Sequence, residues 1–125
     1  MTTSILVVDD AAMVRAQLRA ALSSGDYEVI EAADGNEALA QLEAHPAVKL
    51  IVLDIHMPNM NGLECLELLH ARGSTTPVII LTAEADPEIV RRAKALGAKA
   101  WLKKPLKVEF LASMVAKAVA PPESA

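Results

Sequence analysis

The chain has 125 residues, of which 53% are hydrophobic, and its formal net charge at pH 7 is −4. This length predicts one ordinary domain that buries a core without disulfides or structural metals. No apolar run reaches the roughly 20 residues that span a bilayer, so we expect no membrane insertion. The single cysteine, Cys65, cannot form an internal disulfide, which favours a reducing, cytoplasmic location.

Charge is distributed unevenly along the sequence. Residues 1–90 contain 4 Lys/Arg and 14 Asp/Glu, whereas residues 91–125 contain 8 and 2. This balance argues against direct binding of nucleic acid. The basic final third of the chain is instead a candidate docking surface for an acidic partner.

Short apolar runs alternate with amphipathic segments five times along the chain. The short runs predict buried parallel strands, and apolar residues four apart, such as Val14, Leu18 and Leu22, predict helices. In chain order, we predict strand Ile5–Val8, helix Ala12–Ser24, strand Glu28–Ala32, a helix from Asp34 to about Glu43, strand Leu50–Leu53, a helix that ends at Ala71, strand Val78–Leu81, a helix from Pro87 to Gly97, strand Ala100–Leu102 and helix Val108–Val119.

Local signals mark several helix ends. Asp34 and Glu37 have the spacing of a capping box, and Pro87 suits the first position of a helix. Gly97 suits a helix end, and Gly62 predicts a turn conformation at the start of the third helix. On the last helix, we expect the following side chains to face the core: Phe110, Leu111, Met114, Val115 and Ala118.

Strands that alternate with helices predict βαβ units with right-handed crossovers. Five such units fit an α/β fold, a doubly wound five-stranded parallel sheet between two layers of helices. The strand order that we expect, 2-1-3-4-5, is the one found in flavodoxin-like (βα)5 sheets. In such a sheet, ligands bind at the edge formed by the carboxyl ends of the strands.

Polar side chains follow four of the predicted strands at their carboxyl ends: Asp9 and Asp10, Asp54, Thr82, and Lys104. We expect them to converge. Three carboxylates repel one another unless a cation neutralises them. Mg²⁺ suits this position because it prefers oxygen ligands and is usually bound by carboxylates together with a phosphate, and Mn²⁺ is the alternative ion. Asp54 is the candidate nucleophile toward phosphorus, and Lys104 and Thr82 are candidates to contact phosphoryl oxygens.

Four motifs carry a family resemblance: the pair Asp9-Asp10, the segment 54–62, the segment 82–84, and Lys104-Pro105. In this order and at this spacing, they resemble the receiver domain of response regulators in two-component signalling, and its single-domain CheY-like members in particular. The resemblance covers residues 4–120. It implies a receiver domain over residues 1–120 and a C-terminal tail over residues 121–125.

The resemblance assigns the acceptor and the metal ligands. It implies that Asp54 accepts a phosphoryl group from a histidine kinase or a histidine phosphotransfer protein. It also implies that Asp10 and Asp54 ligate Mg²⁺ through their carboxylates and that Asp9 acts through a bound water. The backbone carbonyl of His56 would complete the protein ligands.

The resemblance further implies contacts to the phosphoryl group and a conformational response. Lys104 and the backbone N–H of Ala83 would contact the group, and Thr82 would move toward it. That movement leaves space for an aromatic side chain on the fifth strand to turn inward. Trp101 stands at this position, where the family more often has Tyr or Phe. The Lys104–Pro105 peptide bond is expected to be cis.

These expectations describe a stand-alone signalling switch, not an enzyme, that catalyses only its own phosphorylation and dephosphorylation. We expect a monomer whose output passes to a downstream protein target, with a chemotaxis-type regulator as the favoured interpretation. The resemblance places the output surface on the fourth helix, the fifth strand and the start of the fifth helix. Six basic residues occur there: Arg91, Arg92, Lys94, Lys99, Lys103 and Lys107.

Other interpretations are open at this point. An intermediate phosphoryl carrier or phosphate sink in a phosphorelay would use the same residues. An aspartate-dependent phosphatase would need an Asp-x-Asp pattern where this chain has Asp9-Asp10-Ala11, and a flavodoxin-type flavin site would need a Ser/Thr/Gly-rich loop there. His56 and Glu84 either influence the lifetime of the acyl phosphate or are ordinary exposed loop residues.

Overall fold

The structure is a computed structural model that describes residues 3–23, 27–57, 60–83, 86–104 and 107–119. Its elements in chain order are β1 (Thr3–Val8), α1 (Ala12–Leu22), β2 (Tyr27–Ala32), α2 (Gly35–Ala44), β3 (Leu50–Asp54), α3 (Gly62–Ala71), β4 (Val78–Thr82), α4 (Pro87–Ala95), β5 (Ala98–Lys103) and α5 (Val108–Val119). The expectations for Glu84, for the Lys104–Pro105 bond and for the tail over residues 121–125 lie outside the described residues.

The sheet has the predicted architecture. Its order is β2-β1-β3-β4-β5, and its neighbouring strands are parallel. Every residue of β3 and β4 is buried, as expected for inner strands covered on both faces. The doubly wound α/β fold and its strand order are therefore confirmed, and the carboxyl ends of β1, β3 and β4 lie side by side at one edge.

Each face of the sheet has its own hydrophobic core. Successive strand residues point to opposite faces. Leu6 and Val8 of β1 therefore pack with residues of α2, α3 and α4, whereas Ile5 and Val7 pack with residues of α1 and α5. In the part of the chain that the structure describes, no helix combines the length and the apolar character needed to cross a membrane.

The start of α2 differs from the prediction. Asp34 accepts a hydrogen bond from the Glu37 backbone N–H at 2.8 Å, but the Glu37 carboxylate accepts from Ala33 at 2.9 Å. The predicted capping box at Asp34 is therefore incomplete. A complete capping box occurs at Asn61 and Glu64, where each side chain accepts from the other residue's backbone N–H. It fixes the start of α3 beside the loop that follows β3.

The predicted inward face of α5 is wrong at one residue. Phe110 is 59% exposed, whereas Leu111 and Val115 are buried. The two buried residues are four apart and share the helix face toward the sheet. Phe110 lies one residue earlier, about 100° around the helix, and its ring centroid is 5.5 Å from the Lys107 ammonium. α1 also ends at Leu22, slightly before its predicted end.

Gly62 meets a need for space, not the turn conformation that the sequence predicted. It is the first residue of α3, and among the described residues the glycines with positive φ are Gly73 and Gly97. A Cβ atom at Gly62 would lie 2.3 Å from the carbonyl oxygen of Asp54. The missing side chain lets α3 begin directly against the end of β3, where the Gly62 N–H donates to the Ile55 carbonyl at 2.9 Å.

We expect Gly62→Ala to lower the free energy of unfolding by about 2 kcal/mol, because the new methyl group meets backbone atoms that cannot rotate away. Urea unfolding followed by circular dichroism measures this loss. Gly35→Ala is the matched control, since Gly35 also begins a helix but the three atoms nearest to its added Cβ belong to the side chain of Met60, not to the backbone. Equal losses in the two variants would contradict the steric explanation for Gly62.

Cys65 is a fully buried core residue of α3. Burial raises the pKa of its thiol to about 11, an effect that the charge of Arg72 only partly offsets. The reactive thiolate is therefore scarce at neutral pH. We expect Ellman's reagent to leave the folded protein unlabelled and to react with it fully in concentrated urea. Rapid labelling of the folded protein at pH 7.5 would contradict this prediction.

Candidate functional site

Three carboxylates meet at the carboxyl edge of the sheet. Asp9 and Asp10 follow β1, and Asp54 is the last residue of β3, the neighbouring strand. One oxygen from each lies within 4.8 Å of the others, a spacing that a single metal ion can bridge. Asp9 and Asp54 are buried, and Asp10 is exposed. The expected convergence of these aspartates is thus present in the structure.

Lys104 directly follows β5, and its side chain lies beside the carboxylates of Asp9 and Asp54. Its ammonium lies 2.8 Å from an Asp9 oxygen and 3.3 Å from an Asp54 oxygen. Its backbone N–H donates to the Thr82 carbonyl at 2.8 Å, which ties the end of β5 to the end of β4. Lys104 therefore neutralises part of the acidic charge from a fixed position.

Backbone groups orient the two buried carboxylates. The Ala11 N–H donates to Asp9 Oδ1 at 2.9 Å, and the His56 N–H donates to Asp54 Oδ1 at 3.2 Å. Since the second oxygen of each carboxylate faces Lys104, both side chains are held by two partners. Such carboxylates are positioned before any ligand arrives, which lowers the entropic cost of binding.

Burial and neighbouring charges shift the pKa values of Asp54 and Lys104. The pKa of Asp54 is raised, first by burial and then by the negative charge of Asp9, while Lys104 opposes the shift. Burial lowers the pKa of Lys104, but its contacts with Asp9 and Asp54 outweigh that effect and leave a net rise. Lys104 thus stays protonated at neutral pH, whereas ionised Asp54 is less stable than an exposed aspartate.

The donor set fits Mg²⁺. Among the described residues, the cluster offers three carboxylates, whose oxygens are the protein ligands that Mg²⁺ prefers. When the three aspartates are ionised, Lys104 leaves an excess of two negative charges, which one divalent cation balances. Asp10 and His56 also line an open cavity of about 440 Å³ through which a ligand can approach.

Thr82 lies on β4, next to the strand that ends at Asp54, and Trp101 lies on β5, the strand that precedes Lys104. Thr82 is the buried last residue of β4, Ala83 follows it at the surface, and Trp101 pairs with Ile80 across to β5. Trp101 is partly buried against the core beneath α4. One side of it lines a surface cavity of about 410 Å³, with the following neighbours: Pro87, Val90, Arg91 and Lys94.

The six basic residues of the predicted output surface do not share one environment. Arg91 and Lys94 lie beside Trp101, and Arg91 also pairs with Glu88 at 3.0 Å. Arg92 instead faces α3, where it lies 3.5 Å from Glu67. The remaining three occupy other positions: Lys99 lines a separate cavity with Lys117, Lys103 is exposed at the end of β5, and Lys107 lies over Phe110.

An arginine outside the sequence motifs also contacts Asp9. Arg15 of α1 donates to the backbone carbonyl of Asp9 at 2.7 Å and pairs with Glu31 of β2 at 2.9 Å. A basic residue one turn into α1 and an acidic residue near the end of β2 were visible in the sequence. Their opposite charges at the ends of adjacent elements were the available signal.

Comparison with known proteins gives a consistent result. The model of the response regulator receiver domain family matches residues 5–116. The chemotaxis protein CheY of Treponema pallidum is 38% identical over 104 residues, which cover 82% of this chain and 72% of that protein. The chain spans about half the length of several other curated relatives, 56% of one and 48% of another.

Solved structures agree with the family match. Chemotaxis protein CheY4 of Vibrio cholerae has a TM-score of 0.87 and 34% identity, over 94% of this chain and 99% of that one. CheY in the CheX–CheY–BeF3–Mg²⁺ complex of Borrelia burgdorferi has a TM-score of 0.88 and 30% identity, over 95% and 90%. With its strand order, its acidic edge and a family match over most of its length, this chain belongs to the response regulator receiver domains.

Proposed function

We propose that this chain is a phosphorylation switch in which Asp54 receives a phosphoryl group from a histidine kinase or a histidine phosphotransfer protein. Receiver domains accept phosphoryl groups from such donors and act on downstream targets. The observation that supports Asp54 is its position: a buried carboxylate at the end of the central strand, 3.3 Å from the Lys104 ammonium and beside two further carboxylates.

Receiver domains generally use Mg²⁺ at an acidic pocket. Here Asp10 and Asp54 would hold it through their carboxylates, Asp9 through a water, and His56 through its backbone carbonyl. When bound, the ion supplies positive charge that neutralises the carboxylates and the phosphoryl oxygens. Mn²⁺ prefers the same oxygen ligands and is expected to substitute.

The transfer step requires little covalent chemistry from the protein. A carboxylate oxygen of Asp54 attacks the phosphorus of the donor phosphohistidine and forms a P–O bond. The P–N bond breaks, and its electron pair leaves with the imidazole of the donor. Lys104 offers positive charge to the phosphoryl oxygens, and the Ala83 backbone N–H and the Thr82 hydroxyl offer hydrogen bonds.

A phosphoryl group on Asp54 adds about −1.5 to −2 charge and three acceptor oxygens. We propose that Thr82 moves toward these oxygens and that Trp101, on the adjacent strand, responds by turning inward. Trp101, Arg91 and Lys94 line one cavity on the α4–β5 surface. A movement of Trp101 therefore changes the shape of the surface that a target protein would contact.

The output surface that we propose is basic and centres on Arg91 and Lys94, so its target would present an acidic surface. The double variant Arg91→Glu/Lys94→Glu is expected to weaken target binding and its salt dependence. Lys99→Glu/Lys117→Glu is the matched control, because it reverses the same charge at a separate cavity near the end of α5. Equal weakening by both doubles would reject the α4–β5 position.

Fluorescence of Trp101 tests the switch directly, because Trp101 is the chain's only tryptophan. Beryllofluoride mimics the aspartyl phosphate, and its addition with Mg²⁺ is expected to shift the emission. Fluoride with Mg²⁺ alone, and beryllofluoride with EDTA, are the controls that should leave the emission unchanged. An unchanged spectrum with both components, at concentrations that saturate binding, would refute the proposed switch.

A further inference from the structure

Asp9 is fixed by its backbone as well as by its carboxylate. Its backbone N–H donates to the Ala32 carbonyl at 3.1 Å, and its own carbonyl accepts from the Arg15 guanidinium at 2.7 Å. The Asp9 carbonyl belongs to the same planar peptide unit as the backbone N–H of Asp10. The contact with Arg15 therefore sets the orientation of the whole Asp9–Asp10 peptide unit.

Arg15 is itself held in place by a bridge between α1 and β2. Its Nε lies 2.9 Å from one Glu31 oxygen. The other Glu31 oxygen accepts from Arg19 at 2.6 and 2.9 Å, and Arg19 also donates to the Val29 carbonyl at 3.2 Å. Hydrogen bonds from Arg19, and then from Arg15, lower the pKa of Glu31 against the opposing effect of burial, so this carboxylate is ionised at neutral pH.

Asp10 lacks the support that burial gives to the other two aspartates. Its side chain is exposed, whereas Asp9 and Asp54 are buried and each contact Lys104. If the peptide unit before Asp10 rotated, its carboxylate would leave the position in which the three carboxylates converge. The hydrogen bond from Arg15 opposes that rotation.

We propose that Arg15, held by Glu31, is a positioning residue that orients the Asp9–Asp10 peptide unit and thereby keeps the Asp10 carboxylate where it can bind Mg²⁺. This inference rests on the proposed function of the acidic site. It adds a residue outside the four sequence motifs, one that acts through a backbone carbonyl and touches neither the ion nor the phosphoryl group.

Arg15 and Arg19 form a matched pair for the test. Both lie on α1 and bind the same Glu31 carboxylate, so Arg15→Met and Arg19→Met remove the same charge beside the same partner. Only Arg15 contacts Asp9. Removing positive charge alone would tighten Mg²⁺ binding slightly in either variant, whereas loss of the positioning contact would weaken it in Arg15→Met alone.

Calorimetric titration with Mg²⁺ is the first readout. We expect about 10-fold weaker binding in Arg15→Met, the size typical for residues that orient metal ligands, and a change below about twofold in Arg19→Met. Arg15→Lys keeps the charge but lacks the planar fork of donors, so we expect it to weaken binding as well. Equal affinities for wild type and Arg15→Met, or equal losses in Arg15→Met and Arg19→Met, would overturn the proposal.

Amide hydrogen exchange in the metal-free protein is the second readout. The Ala11 amide donates to Asp9 Oδ1, and we expect it to exchange about 10-fold faster in Arg15→Met than in Arg19→Met. Unchanged exchange of this amide would overturn the positioning role even without metal. A wild-type protein that fails to bind Mg²⁺ would refute the proposed function instead, so the two failures are distinguishable.

Discussion

Asp54→Asn is expected to abolish phosphoryl acceptance completely. The amide that replaces the carboxylate has nearly the same shape but is a very poor nucleophile toward phosphorus. Incubation with Mg²⁺ and a small donor such as acetyl phosphate, followed by intact-protein mass spectrometry, should show a phosphorylated wild type and an unmodified variant. The Trp101 response to beryllofluoride should be lost in the same variant.

The same substitution is expected to raise the free energy of unfolding in the absence of metal. Because the pKa of Asp54 is raised in the folded state, its stabilising contribution is full below the unfolded pKa. That contribution is lost as the pH rises through the folded pKa. At neutral pH the ionised side chain therefore opposes folding, and Asp54→Asn removes that cost. A labelled Asp54→Asn variant, or one less stable than wild type at pH 7 in EDTA, would contradict this account.

Lys104→Met is expected to have the second largest effect. It leaves Asp9 and Asp54 buried beside each other without their cation, and we expect a loss of about 3 kcal/mol in the metal-free protein. That figure is at the lower end for a buried pair, because 23% of the Lys104 side chain is exposed. We also expect phosphorylation to slow by about 100-fold, because a fixed positive charge at the phosphoryl oxygens is lost.

Mg²⁺ should rescue stability but not rate in Lys104→Met. Saturating Mg²⁺ supplies positive charge to the same carboxylates, so the stability gap to wild type should narrow. Lys103→Met is the matched control, since it removes an adjacent but exposed lysine and should change stability and rate little. A stability gap that Mg²⁺ leaves unchanged, or equal effects of the two variants, would argue against the proposed role of Lys104.

The strand ends explain why so much of the fold and site was predictable. The short runs that end at Val8, Leu53 and Leu81 have lengths and compositions that only buried strands explain well, and the following polar residues then share one edge by topology alone. Asp54 and Lys104 could be paired from the sequence because that edge is a property of every parallel sheet, whatever the details of its helices.

The missed features depend on contacts that periodicity does not encode. Arg15 binds a backbone carbonyl, which has no sequence signature, and the partner that orients it is 16 residues away. Gly62 is required by the distance between two elements, not by its own dihedral angles. Phe110 is apolar and next to a core residue, so the helix pattern could not by itself decide whether Phe110 faces the sheet.

The most direct test of the central claim is to locate the phosphoryl group on the wild-type protein. After phosphorylation in Mg²⁺, borohydride reduces an aspartyl phosphate to homoserine, and peptide mass spectrometry then identifies the residue that changed. We predict homoserine at position 54 and intact aspartate at positions 9 and 10. Reduction at another aspartate, or a phosphoryl group that resists borohydride because it is bound to histidine or serine, would contradict the assignment of Asp54.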